Sequence, residues 1–140
     1  MEIVFANHRD LDHYERLHSR LKEILYWMRG YLCKSKASRL VYTSIYRPYF
    51  NEIAKGRSGI HGFHRAVDVV IQKADGKKFG QMDYDRLAMV LNQVFCYNDN
   101  GKHQVAVSAP HGTGLHLHLQ ARDETVYRCD VSQSAHFLEK

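Results

Sequence analysis

Apolar residues fall into two kinds of pattern along this chain, and each kind predicts an element. From Asp10 to about Leu32, the residues Leu11, Tyr14, Leu17, Leu21, Ile24, Leu25, Met28 and Leu32 recur at steps of three and four, the stripe of an amphipathic helix. Asp10 or Asp12 is placed to cap it. A second helix is predicted over MDYDRLAMVLNQVFCYN (82–98), capped by Asp83, with Leu87, Val90, Leu91 and Val94 facing inward. Between and after the helices the period changes to two. RLVYTSIYR (39–47) alternates and stops before Pro48, and AVDVVIQK (66–73) runs into the turn-like ADGKK. EIVFA (2–6) reads as a short edge strand. After the turn NDNG (98–101), HQVAVSA (103–109), LHLHLQA (115–121) and TVYRCD (125–130) read as three more strands. That order predicts an α+β fold, a mostly antiparallel sheet with helices packed on one side.

Length and composition narrow the picture. At 140 residues, with 44% hydrophobic and 25% charged residues, the chain fits one domain, 1–140, with a single core, and a monomer is the expected state. No apolar run approaches the roughly eighteen residues of a membrane span. MEIVFANHRD has no basic start followed by an apolar core, so the expectation is cytoplasmic synthesis without a signal peptide. The three cysteines, Cys33, Cys96 and Cys129, are widely spaced and form no CxxC pair, which predicts reduced thiols. A net charge of +5 favours an acidic partner. No stripe of basic and aromatic residues accompanies it, so nucleic acid is not expected.

The ten histidines carry the candidate chemistry. In LHLHLQ, strand alternation points His116 and His118 to one face and Leu115, Leu117 and Leu119 to the other. Asp68, set among apolar residues in AVDVV, needs a cation or hydrogen-bond donors if buried. His61 precedes it by seven residues across SGIHGFHRAVD (58–68), a turn able to bring the imidazole back to the carboxylate. A single strand histidine is more often a packed residue than a ligand. Two histidines and a carboxylate at this spacing, however, suit zinc with a fourth position left open.

TSIYRPYFNE (43–52), SGIHGFHRAVDVVI (58–71) and HLHLQ (116–120) together resemble the zinc D-alanyl-D-alanine carboxypeptidase and endopeptidase family, part of the wider group with lysostaphin-type peptidases and the hedgehog signalling domain. The resemblance covers about residues 40–121. It implies a hedgehog/DD-peptidase-like fold, with His61, Asp68 and His118 as zinc ligands. It further implies that His116 is the catalytic partner, accepting a proton from the attacking water or stabilising an oxyanion. Arg47, in the YRP segment, matches the arginine that holds the substrate carboxylate, and Tyr46 precedes it in the same motif. His64 and His111 become candidates for supporting the ligands or binding substrate. The implied substrate is the peptide stem of bacterial peptidoglycan. A compact basic domain of this kind fits a phage or prophage lysin, which acts at the cell wall once another protein has opened the membrane. Four positions depart from the family pattern. Ile45 stands where Gly is usual, Gly59 where Ser is usual, His64 where Gly is common, and Leu115 where the endopeptidase branch often has a Glu general base. These departures favour the alternative, a catalytically silent, metal-stabilised structural or binding domain, for example in a phage particle.

Overall fold

A computed structural model describes residues 1–56, 59–98, 103–109 and 114–127. His111, Cys129, most of the NDNG turn and the segment 131–140 lie outside the described residues. The elements in order are β1 (Glu2–Phe5), α1 (Asp10–Glu15), α2 (Ser19–Cys33), β2 (Ala37–Ser44), α3 (Tyr49–Ala54), a 3-10 turn (Ile60–Phe63), β3 (Ala66–Lys73), α4 (Gln81–Val94), β4 (Phe95–Cys96), β5 (Ala106–Ala109), β6 (His116–Gln120) and β7 (Val126–Tyr127). The fold is α+β. Five strands form a sheet in the order β1-β2-β3-β6-β5, and β4 and β7 form a separate two-stranded ribbon. Among the described residues only β1 and β2 run parallel; the other pairs are antiparallel.

The register sorts side chains by face. Leu40 opposes Ile71 and Tyr42 opposes Val69 between β2 and β3, while Val67 opposes Leu119 and Val69 opposes Leu117 between β3 and β6. Against this face lie Leu21, Ile24, Leu25, Met28 and Leu32 of α2 and Tyr84, Leu87 and Leu91 of α4, in one hydrophobic cluster. Fully burying each Leu or Ile there contributes about 1.5–3 kcal/mol. Asp68, His116 and His118 alternate with these residues and so point to the opposite face of the sheet. Where β6 ends, the backbone of β3 finds other partners: Ile71 N donates to Tyr84 Oη at 3.0 Å and Ile71 O accepts from Phe79 N at 2.8 Å, so the central strand stays satisfied beyond its neighbour.

Several boundaries differ from the sequence reading. The predicted helix over 10–32 is two helices, broken around His18, whose backbone is extended (ψ 137°). His18 N donates to His64 O at 2.9 Å, and its ring Nδ1 accepts from Arg20 N at 3.1 Å, capping α2. Neither Asp10 nor Asp12 is a cap: Arg9 holds that position in α1, and Asp10 is buried. Strand 39–47 ends at Ser44, because the chain turns away to form α3, which the period-two reading did not anticipate. The predicted helix 82–98 ends at Val94, where Phe95 turns extended and joins β7. Asp83 sits in its first turn rather than at the cap, accepting from Gly80 N at 2.9 Å. The strand predicted from 103 begins at Ala106, and the one predicted over 125–130 is described as Val126–Tyr127.

Candidate metal centre

Asp68 is the third residue of the central strand β3, opposite Ser44 of β2 on one side and His118 of β6 on the other. This register sets the His118 ring beside the carboxylate, with Nδ1 2.8 Å from Asp68 Oδ1. His116, two residues earlier on the same face, brings Nε2 to 3.9 Å from Asp68 Oδ2. Its Nδ1 donates to Gly114 O at 2.8 Å, which leaves Nε2 as the basic nitrogen directed at the site.

His61 arrives from the 3-10 turn, and glycines make that approach possible. Gly59 precedes the turn at φ +74°, in the left-handed region, where a Cβ is strained. At Gly62 a Cβ would lie 2.8 Å from Tyr49 N and 2.9 Å from Tyr49 Cα, so only glycine lets the turn pack on the backbone of α3. Held this way, His61 is 2% exposed. Its Nδ1 donates to Ile45 O at 3.4 Å, and its Nε2 faces Asp68 Oδ1 at 3.7 Å. Burial lowers the His61 pKa to about 4, against the pull of Asp68, so the ring is neutral at physiological pH. Burial works to raise the Asp68 pKa, but the neighbouring imidazoles, His118 in hydrogen-bond contact first and then His61 and His116, outweigh it and lower the value.

The donor set fits a cation. With the proton of neutral His61 on Nδ1, Nε2 is a buried lone pair without a hydrogen-bond partner, and the group it faces is a carboxylate oxygen. Two acceptors turned to each other call for a positive charge between them. His118 gives the same indication. Gln120 Nε2 donates to Gln104 O at 2.8 Å, which presents Gln120 Oε1 to His118 Nε2 at 3.1 Å. In the neutral tautomer with the proton on Nε2, Nδ1 turns its lone pair towards Asp68 Oδ1 at 2.8 Å, so the pair can take a cation in place of the proton they otherwise share. Ligand atoms of His61, Asp68 and His118 all lie within 4.8 Å of one another. Two imidazoles with a carboxylate suit zinc, and each imidazole is oriented through its other nitrogen, as metal-bound histidines are.

Arg47 sits at the rim, 33% exposed, with Nη1 3.6 Å from Asp68 Oδ2. Its Nε pairs with Glu52, a carboxylate buried in α3. Tyr46 and His64 are beside the centre but turn to a residue the sequence reading missed. The Tyr46 ring stacks on His13 of α1 at 4.2 Å and 9°, and His13 Nδ1 lies 2.9 Å from His64 Nε2. Burial, then the neighbouring His13, lowers the His64 pKa. Among the described contacts, therefore, both residues wall the site through α1 rather than touching the donor atoms. Gln120 was also missed, although period-two alternation in HLHLQ puts it on the face of His116 and His118. Nothing local could have shown the link from His13 to His64, which crosses 51 residues of sequence, while that from Glu52 to Arg47, five residues apart, depends on the unanticipated helix α3.

No family model, curated protein or solved structure matches the chain.

Proposed function

We propose that this chain is a zinc metallopeptidase that hydrolyses peptide bonds in the stems or cross-links of bacterial peptidoglycan, as the resemblance of its three motifs implies. The observation that carries the reading is the convergence of His61, Asp68 and His118 on one point, with His116 Nε2 and the Arg47 guanidinium beside it. Zinc held by the three ligands would supply Lewis-acid polarisation of the scissile carbonyl and activation of a water. The protein's own residues do the rest. His116, its proton fixed on Nδ1 by Gly114 O, accepts a proton at Nε2 and returns it to the leaving amine, replacing the carboxylate that position 115 lacks. Arg47 offers a planar cation to a substrate carboxylate or to the developing oxyanion, and Glu52 holds its stem in place. Among the described residues no helix is long and apolar enough to cross a membrane. In this reading the protein reaches the wall after another protein has breached the bilayer.

A catalytically silent, metal-stabilised domain is the second reading. Leu115 in place of a general base and the pairing of Arg47 with Glu52 favour it. Incubation of purified peptidoglycan with the zinc-loaded chain, scored by newly released amino groups, separates the two. The peptidase releases amines, stops on chelation and recovers with zinc. A chain that binds zinc and releases none from walls of differing cross-link chemistry is the silent domain.

A further inference from the structure

Beside the metal centre, four large apolar side chains stand in water: Phe50 is 83% exposed, Phe63 58%, Ile53 45% and Tyr49 36%. They form one patch. The Tyr49 ring lies 5.6 Å from Phe50 and 5.1 Å from Phe63. Phe50 and Ile53, three residues apart, share a face of α3, and a Cβ added to Gly59 would meet the side chains of both Tyr49 and Ile53. None of the four belongs to the hydrophobic core, so the fold gains little from their exposure, and a contiguous apolar surface of this kind marks an interaction site.

On the two elements that carry the patch, the exposed charge has one sign. Glu52, the only acid in α3 or the 3-10 turn, is turned inward onto Arg47 and is 2% exposed. Lys55, which closes α3, is exposed, and the whole chain carries +5. Protruding aromatic rings flanked by a cation, with no exposed carboxylate on α3 or the 3-10 turn, match the boundary between headgroups and acyl chains of an anionic bilayer. We infer that α3 and the Ile60–Phe63 turn form an interfacial anchor that lays this face of the protein on an anionic lipid surface. The anchor holds the protein on the membrane without spanning it, and it does not depend on the peptidase reading.

Co-sedimentation of the full chain with vesicles of equimolar phosphatidylcholine and phosphatidylglycerol, compared with phosphatidylcholine alone, tests the inference. The wild type is expected to pellet with the anionic vesicles. The double variant Phe50→Ser, Phe63→Ser is expected to partition about tenfold or more weakly, since each ring loses its burial in lipid. Circular dichroism and the melting temperature of the double variant should stay close to wild type, because both side chains are exposed. Should that variant misfold, Lys55→Glu leaves the apolar contacts intact and is expected to weaken binding to anionic vesicles alone. Wild type remaining in the supernatant, the serine variant pelleting equally, or equal pelleting with phosphatidylcholine alone would each overturn the inference. So would a dimer that Phe50→Ser, Phe63→Ser abolishes in a wild type indifferent to vesicles, which would give the face to a second copy of the chain.

Discussion

Zinc added to the metal-free protein is expected to raise its melting temperature, and Asp68→Asn is expected to flatten that response. The candidate site is assembled only in the folded chain: its donor residues come from the 3-10 turn, β3 and β6, with His61 and His118 57 residues apart in sequence. Zinc held there would therefore bind the native state far better than the unfolded one. Free zinc at about one hundred times its dissociation constant then adds about 2.7 kcal/mol. Unfolding entropy of about 2.1 cal/mol/K per residue, over 140 residues, comes to about 0.3 kcal/mol/K, so the expected shift is about 9 °C. Asp68→Asn keeps the side chain's shape and its place opposite His118 but removes the negative charge of the donor set. Differential scanning calorimetry with and without zinc, on both proteins, gives the comparison. Absence of a shift in the wild type would refute the argument. So would a full shift in Asp68→Asn, which would assign the metal to other members of the ten histidines.

Three further outcomes follow from particular contacts. Gly62→Ala pushes a Cβ to 2.8 Å from Tyr49 N; it should destabilise the chain by about 1–3 kcal/mol in denaturant melts and weaken zinc binding by displacing His61. Gln120→Leu removes the acceptor that orients His118 and leaves Gln104 O unpaired with it, so zinc affinity measured by chelator competition should fall by about 10–100-fold while the fold persists. Asp83 has its pKa lowered by the Gly80 N–H first and by Lys73. A depressed folded value means its stabilisation is complete above the ordinary 3.8 and disappears as pH falls through the lower folded value. The stability gap between wild type and Asp83→Ala, present at neutral pH, should accordingly close in acid urea titrations; a gap that is constant with pH would contradict the assignment.

Much of this site was legible in the sequence because it lies on strands. Alternation alone puts His116 and His118 on one face and Leu117 and Leu119 in the core, and an aspartate within AVDVV advertises its need for a partner. The structure meets that need with His118 at 2.8 Å and Arg47 at 3.6 Å. Less legible were features set by long-range contact. The predicted stripe loses its first member, since Leu11 is 53% exposed, but from Tyr14 to Leu32 it continues through a break, because Leu17 is buried in the core while His18 leaves the helix to donate to His64 O; periodicity cannot register a change in backbone direction that preserves the buried face. Likewise YFNEIA carries too few residues for a helical period, yet α3 buries Glu52 against Arg47 and exposes Phe50. Such partners are fixed by how the turn after Pro48 folds back, and that depends on Gly62 meeting Tyr49 across space.

The most direct test of the peptidase account is muropeptide release from purified peptidoglycan, measured together with zinc content, for the wild type and His116→Ala. The account expects one zinc per chain in both proteins, with product released by the wild type and lost in His116→Ala, since His116 handles the proton but is not a ligand. Zinc in both with equal release would remove His116 from the chemistry, and a wild type that carries zinc but releases nothing would contradict the peptidase claim itself.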